Sequence, residues 1–263
     1  MIDHVLMAFG ITLAAGLATV LGSALVFFQK TPSPRVLAFG LAFAAGAMVF
    51  VSLTEIFGKS VDSFSEVSSA GFSWATAAFL TGLLAILALD RLIPNPHETL
   101  DVNDPRFLDK NQSYLRRIGL MSAFAITAHN FPEGLATFFA TLESPTLGAP
   151  LAFAIAVHNI PEGISIAAPI YFATQNKRLT VLACLISGLA EPLGAVMGYF
   201  ILKPFLSPEI FGWVFGIIAG AMVFLAMDEL LPAAKRYSDG HETVYGLVGG
   251  MGVIAISLAL FNL

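Results

Sequence analysis

The chain has 263 residues, of which 57% are apolar and only 12% are charged. A soluble globular protein carries about 25% charged residues, so this composition excludes a soluble globular fold. Thirteen basic and eighteen acidic residues give a net charge of −5. Nucleic acid is therefore excluded as the main partner, since proteins that bind it present basic surfaces. The single cysteine, Cys184, has no second cysteine with which to form an internal disulfide.

Eight apolar segments are long enough to cross a bilayer as helices, for which about 20 residues are needed. They lack the alternation of apolar and polar residues that is typical of strands in a membrane barrel. The sequence therefore predicts an all-α, polytopic membrane protein with a single domain over residues 1–263. The expected spans lie near residues 4–28, 36–57, 72–93, 115–141, 147–173, 179–202, 210–232 and 243–262, with a cytoplasmic loop over residues 94–114.

The basic residues predict the orientation of these spans. An even number of spans places both termini on the same side of the membrane. If the termini lie outside, 11 of the 13 basic residues fall in cytoplasmic loops, and only Lys59 and Lys203 remain outside. This distribution agrees with the positive-inside rule. We therefore expect both termini to lie outside the cytoplasm.

A repeated hexapeptide relates the second span to the seventh. The letters A-G-A-M-V-F occur at residues 45–50 and again at residues 219–224, and Glu55 and Glu229 follow at the same distance. The two spans are five crossings apart, so they run in opposite directions. The repeat predicts a 3+2+3 inverted topology, which is typical of secondary transporters. Small residues are also common packing material in membrane helices, but the matching Met, Phe and Glu favour the repeat.

The fourth and fifth spans both carry the pattern H-N-x-P-E-G, at residues 129–134 and 158–163. On a helix the His and the Glu share a face, and the Asn three residues before the Glu lies beside them. The Pro frees a backbone carbonyl, which a bilayer tolerates only where the backbone lines a buried or watery cavity. The candidate ligands in this cavity are His129, Asn130, Glu133, His158, Asn159 and Glu162.

Two further candidates lie outside this doubled motif. Glu191 precedes Pro192 in the sixth span, and Met48 offers a thioether from the second, although a buried Met is more often packing material. Residues 36–57 and 118–171 contain no Lys or Arg, so carboxylates buried there need protons or a bound cation as counter-charge. Imidazole, carboxylate and amide ligands suit zinc, iron(II), manganese or cobalt. The alternative is a pair of kinked packing helices whose His and Asn satisfy one another.

The doubled motif, the eight-span outline and the Glu-Pro pair of the sixth span resemble the ZIP (Zrt/Irt-like) family of metal-ion transporters, in particular its bacterial ZupT-type branch. The resemblance implies uptake of zinc, and often of iron(II), manganese, cobalt and cadmium, across the bacterial inner membrane into the cytosol, with no required cofactor. It also suggests a homodimer.

The same resemblance implies a binuclear metal centre in which the two motif glutamates bridge the ions. One site is expected to use His129, Glu133, His158 and Glu162, with Met48 as a further candidate. The adjoining site is expected to use Asn130, Glu133, Asn159, Glu162 and Glu191.

Two other functions stay open from the residues alone. An intramembrane metallohydrolase needs a general base, typically in H-E-x-x-H, whereas Asn follows each motif His here. A cation channel differs from a carrier only in its kinetics. The acids Glu55, Asp228 and Glu229 lie near expected span ends, where they fit either entry and exit stations for a cation or ordinary interfacial charges.

Overall fold

The computed structural model describes residues 2–28, 34–91, 112–143, 145–238 and 240–261. Within these ranges the chain is almost entirely helical and forms no strand. The expected all-α architecture is therefore confirmed. Most of the expected cytoplasmic loop at 94–114 lies outside the described residues.

We number the membrane-crossing units as spans 1 to 8 in chain order. Spans 1, 3, 4, 5 and 8 are single helices with the bounds Ile2–Phe27, Gly71–Asp90, Gln112–Glu143, Pro145–Thr174 and Glu242–Phe261. The other three spans are interrupted. Span 6 consists of two helices, Lys177–Gly188 and Ala190–Leu202, followed by a short 3-10 turn over Lys203–Phe205.

Spans 2 and 7 each contain one turn of π-helix between two α-helical parts. In span 2, Pro34–Val51 continues through the π turn Ser52–Ile56 into Phe57–Ser65. In span 7, Pro208–Leu225 continues through the π turn Ala226–Leu230 into Leu231–Arg236.

Seven helical stretches within the described residues, all except span 4, are long and apolar enough to cross a membrane. Span 4 has 32 residues and is about 48 Å long at 1.5 Å per residue, which exceeds the roughly 30 Å hydrocarbon core. Large apolar side chains on the outside of the bundle, such as Leu84, Phe200 and Ile256, are more than half exposed. Contact with lipid explains this exposure.

The two π turns occupy equivalent positions of the repeat. Counted from the shared hexapeptide, Ser52 corresponds to Ala226 and Ile56 to Leu230. The turns therefore begin and end in the same register, and Glu55 and Glu229 sit at the same place in each. π turns are rare and concentrate at functional sites, so this coincidence supports a true inverted repeat over a chance recurrence of small residues.

Glycine contacts between the outer spans follow the same symmetry. Gly46 of span 2 packs against the carbonyl of Leu247 in span 8, and its equivalent Gly220 of span 7 packs against the carbonyl of Phe79 in span 3. In each case a Cβ would meet backbone, so only glycine permits this approach. Span 2 packs along span 8, and span 7 packs along span 3. Spans 2, 3, 7 and 8 thus pair as the inverted repeat requires.

Four spans form a second group around the doubled motif. Spans 4 and 5 pack along each other, span 1 packs along span 5, and span 6 packs along span 4. Spans 1 and 6 also contact each other where Gly16 and Gly188 face one another, each against the carbonyl of the other. The motif helices are therefore enclosed by one span from each repeat.

Span 2 is longer than the sequence predicts, because the helix continues beyond residue 57 to Ser65. The added turns are too polar to count as an apolar segment, yet they are held by tertiary contacts. The Ser60 hydroxyl donates to the carbonyl of Gly212 in span 7 at 2.7 Å. Phe64 is buried against Trp213 of the same span. Packing against span 7 therefore extends this helix where hydropathy predicts its end.

Candidate metal centre

The doubled motif lies at the centre of the four-span group. Asn130 and Glu133 of span 4, and Asn159 and Glu162 of span 5, are all fully buried. Each of the two helices carries a proline inside its motif, Pro132 and Pro161. Because proline donates no backbone hydrogen bond, the carbonyls of the residues before the two histidines lose their usual helical partners.

Three of the expected ligands form a compact cluster between spans 4 and 5. Glu133, His158 and Glu162 each offer one ligand atom, and these atoms all lie within 4.8 Å of one another. The Nε2 atom of His158 lies 3.2 Å from Oε1 of Glu133. Two ligands of one tetrahedral zinc ion lie about 3.4 Å apart, given bonds of about 2.1 Å. The cluster therefore has the dimensions of a zinc site.

The hydrogen bonding of His158 is suited to metal binding. Its Nδ1 atom lies 3.1 Å from the carbonyl oxygen of Ala154, and since a carbonyl only accepts hydrogen bonds, Nδ1 carries a hydrogen. In the neutral ring that metal binding requires, the lone pair is then on Nε2, on the side of Glu133. A backbone carbonyl that fixes the tautomer in this way is typical of histidines that bind metals.

The carboxylates have almost no hydrogen bonds that would compensate for their burial. Within the described residues, neither oxygen of Glu162, nor Oε2 of Glu133, nor Oε2 of Glu191 accepts a hydrogen bond. A buried carboxylate without partners costs several kcal/mol. Bound cations would supply the interactions that these oxygens lack. The alternative of two packing helices with mutually satisfied His and Asn does not account for these oxygens.

The two asparagines make matching contacts to the flanking spans. Asn130 donates from Nδ2 to the carbonyl of Ser187 in span 6 at 3.1 Å, and Asn159 donates from Nδ2 to the carbonyl of Ala15 in span 1 at 2.9 Å. In both side chains the Oδ1 atom accepts no hydrogen bond from the described residues. The amide nitrogens therefore anchor the side chains, and the oxygens remain available as ligands.

Glu191 joins the centre from span 6. It is fully buried, and its Oε1 atom accepts a short hydrogen bond from Nδ2 of Asn159. The helix breaks at Leu189, so Glu191 lies in the first turn of Ala190–Leu202, where the helix dipole favours a negative charge. The break in span 6 thus brings a third carboxylate to the central motif.

The remaining expected ligands have different positions. Span 4 includes His129, but its side chain lies outside the described part of the structure. Met48 is fully buried and packs within the main apolar cluster, and no described contact joins it to the three-ligand cluster. Its role as a ligand therefore stays a prediction.

The positions of two other residues were not anticipated. Ser187 receives the hydrogen bond of Asn130 through its carbonyl, which sequence spacing does not reveal. Lys59 is 6% exposed, although it was expected in an outer loop, and its Nζ lies 3.9 Å from Oε2 of Glu55. A buried lysine thus accompanies Glu55 beside the π turn of span 2.

Comparison with known proteins adds independent evidence. The family model described as ZIP zinc transporter matches residues 108–258, which include both motifs and Glu191. A protein named zinc transporter ZupT from Neisseria meningitidis serogroup B is 68% identical over 262 residues, covering 99% of this chain and 97% of that protein.

Less similar proteins of the same name also match over nearly their whole length. The one from Stenotrophomonas maltophilia strain K279a is 63% identical over 262 residues, with 99% of this chain and 97% of that protein covered. The one from Chlorobaculum parvum is 47% identical over 270 residues, with 99% of this chain and 100% of that protein covered. The chain therefore belongs to the ZIP family of zinc transporters, which makes it an integral membrane transporter and not an enzyme.

Proposed function

We propose that this protein takes up zinc across the bacterial inner membrane into the cytosol, and that it also accepts iron(II), manganese, cobalt and cadmium. The observation that supports this proposal best is the cluster of Glu133, His158 and Glu162, which is fully buried and leaves most carboxylate oxygens without partners. The relatives are named zinc transporters, which supports zinc as the main substrate.

In the proposed mechanism a hydrated ion loses part of its water shell on entering the centre. His158 and His129 supply imidazole nitrogens to one ion, together with Glu133 and Glu162. Asn130, Asn159 and Glu191 bind a second ion, with the same two glutamates as bridges. The carboxylates release any bound protons on binding, because metal ligands must be deprotonated. The proposed ligands are nitrogen and oxygen atoms of intermediate softness, with no thiolate among them. Such a ligand set binds several divalent metals.

The packing of the spans supports an alternating-access motion. Spans 1, 4, 5 and 6 enclose the centre, whereas span 2 packs along span 8 and span 7 along span 3. In this proposal the first group moves as a unit against the second and exposes the bound ions to each side in turn, as inverted repeats allow. Glu55 and Glu229, in the two equivalent π turns, then serve as stations on opposite sides of the centre.

We further propose that residues 1–263 act as one ZIP-type transmembrane domain, that both termini lie outside the cytoplasm and that the protein works as a homodimer. The distribution of basic residues supports the orientation. Chemical labelling of cysteines introduced near each terminus in intact cells tests this orientation directly.

Zinc flux is expected when the purified protein is the only protein in sealed vesicles. A fluorescent zinc indicator inside the vesicles should report uptake that saturates with external zinc, as a carrier requires and an open channel does not. External iron(II), manganese, cobalt and cadmium should each inhibit zinc uptake by competition at the shared ligands. Vesicles without protein are the control, and an absence of zinc flux in vesicles that hold the folded protein would contradict the proposed function.

The two-ion arrangement makes a separate prediction for Glu191→Gln. Glutamine keeps the size of the side chain but removes the charge that faces the second ion, whereas Glu133, His158 and Glu162 remain in place. We expect the variant to bind one zinc ion per chain where the unmodified protein binds two. Equilibrium dialysis followed by elemental analysis of purified protein gives the count. Two tightly bound ions in the variant would contradict this assignment.

A further inference from the structure

Thr19 and Thr243 are the exceptions among the described threonines, and Thr243 lies in the first turn of span 8, where its hydroxyl has no helical carbonyl four residues earlier. Nine others donate their hydroxyl to the carbonyl four residues earlier, the usual way in which a buried threonine satisfies itself in a helix. Thr19 is fully buried in span 1, yet its Oγ1 has no hydrogen-bond partner within the described residues. The carbonyl it would use, that of Ala15, instead accepts from Asn159.

The inverted repeat gives Thr19 a counterpart in the metal centre. A Cβ on Gly134 would meet the carbonyl of Glu191, and a Cβ on the matching motif glycine, Gly163, would meet the carbonyl of Thr19. The asparagine contacts agree, since Asn130 donates to Ser187 O, four residues before Glu191, and Asn159 donates to Ala15 O, four residues before Thr19. Two independent contacts thus show that Thr19 occupies the position in span 1 that is equivalent to the position of Glu191 in span 6.

The surroundings of Thr19 agree with this correspondence. A Cβ placed on Gly188 would lie 3.4 Å from Cβ of Thr19, so the threonine side chain lies against the break in span 6. Ser187, the residue before Gly188, accepts a hydrogen bond from the side-chain amide of Asn130 through its carbonyl. Thr19 and Asn130 therefore reach the same segment of span 6, and each has an oxygen without a partner.

We propose that the hydroxyl of Thr19 is part of the metal centre, where it supplies an uncharged oxygen on the side of Asn130, at the position that corresponds to the carboxylate of Glu191. It either binds the ion directly or holds one of its water molecules. The proposal rests on the proposed zinc transport and adds a residue that determines how tightly the centre holds its ions.

The charge balance of the centre explains why position 19 holds a threonine where the equivalent position of span 6 holds Glu191. When ionised, Glu133, Glu162 and Glu191 carry three negative charges, and two zinc ions carry four positive charges. A fully symmetric centre with a glutamate at position 19 would neutralise both ions and retain them. Thr19 leaves one positive charge uncompensated when both ions are bound, so the second ion is held less tightly than in a centre with four carboxylates. A carrier needs such a limit because an ion that binds too tightly is not released.

Thr19→Val tests the hydroxyl with little change in shape. We expect the KM for zinc uptake into vesicles to rise about fivefold, the equivalent of about one neutral hydrogen bond, and zinc binding by the purified protein to weaken by a similar factor. Thr19→Ser keeps the hydroxyl and should retain the original KM. Thr12→Val is the matched control, since Thr12 is also buried in span 1 but bonds to Ala8 O at 2.9 Å, and its KM should not change.

Thr19→Asp adds the missing charge in a similar volume. Zinc should bind about tenfold more tightly, while the maximal uptake rate falls because release is slower. If Thr19→Val does not yield folded protein, Thr19→Ala, which only removes atoms, takes its place with the same expectation. An unchanged KM in the hydroxyl-free variant, or a change that Thr19→Ser shares in full, would overturn the proposal. Such results leave the proposed function intact if the unmodified protein transports zinc, whereas absence of that transport refutes the proposed function itself.

Discussion

Zinc uptake is expected to fall by at least about 100-fold when Glu133 or Glu162 is replaced by glutamine. Changes to residues that merely support a metal ligand already cost about 10–100-fold, and these two glutamates are proposed to bind both ions. Glutamine keeps the shape of each side chain and replaces a charged ligand by a neutral amide. The measurement is zinc flux into vesicles that contain equal amounts of each purified variant.

The same variants separate a metal site from a structural role. Both carboxylates are fully buried and largely without hydrogen bonds, so their charge destabilises the metal-free protein. Glu133→Gln and Glu162→Gln should therefore melt at the same temperature as the unmodified protein, or higher, when zinc is absent. Added zinc should raise the melting temperature of the unmodified protein, as any ligand of the folded state does, and should have little effect on the variants.

The matched control is Glu66→Gln. Glu66 is an exposed carboxylate at the end of span 2, remote from the central motif in the chain, and its loss should change neither uptake nor the response to zinc. Uptake by Glu133→Gln and Glu162→Gln at the level of this control would contradict the metal centre. A large loss of metal-free stability in both would favour the alternative in which the motifs serve only packing.

Much of the metal centre was accessible from sequence because its signals are local. The pattern H-N-x-P-E-G places His158 and Glu162 on one helix face through spacing alone, and its recurrence predicted that a second helix would contribute Glu133. The structure brings these three together. Glu191 was recognised as a candidate from its position before Pro192, and in the structure the helix breaks two residues earlier, at Leu189.

Features that depend on packing between spans were not predictable in the same way. The π turns at Ser52–Ile56 and Ala226–Leu230 have no distinctive residue pattern. The extra residue in each turn is stabilised by packing against neighbouring spans, which the local sequence does not show. The helix over Phe57–Ser65 is too polar for a hydropathy window to include. Thr19 was not singled out from the sequence, and its place beside the motif is established by the contact of Gly163 with span 1.

Sequence identity relates some spans of the inverted repeat more clearly than others. The identical letters at 45–50 and 219–224 gave the correspondence of spans 2 and 7. Spans 1 and 6 share only the shorter, interrupted pattern G-L-A-x-x-L-G, at residues 16–22 and 188–194, which aligns Thr19 with Glu191. The backbone contacts of Gly134 with Glu191 and of Gly163 with Thr19 give the same alignment. Backbone positions are constrained by close packing, whereas side chains such as Thr19 and Glu191 are free to diverge.

These same backbone contacts lead to the second large effect, a loss of stability in Gly134→Ala and Gly163→Ala. In an open helix interior, alanine in place of glycine stabilises by about 0.5–1 kcal/mol. Here the added Cβ would collide with the carbonyl of Glu191 or of Thr19, and backbone cannot turn aside as a side chain can. We expect each variant to lose about 1–3 kcal/mol through overpacking, seen as a lower melting temperature of the purified protein.

Uptake should fall with stability, because the displaced backbone carries residues of the centre. Moving Glu191 away from span 4 separates its carboxylate from the proposed second ion, and moving Thr19 displaces the hydroxyl on the side of span 1. Gly10→Ala and Gly252→Ala are matched controls in spans 1 and 8, since a Cβ at either position has no heavy atom within 4 Å. Both controls should melt at or above the original temperature, because they gain helix propensity without a collision. Unchanged melting and uptake in Gly134→Ala and Gly163→Ala would show that spans 1 and 6 do not approach the motif helices this closely, and the correspondence of Thr19 with Glu191 would then lose its basis.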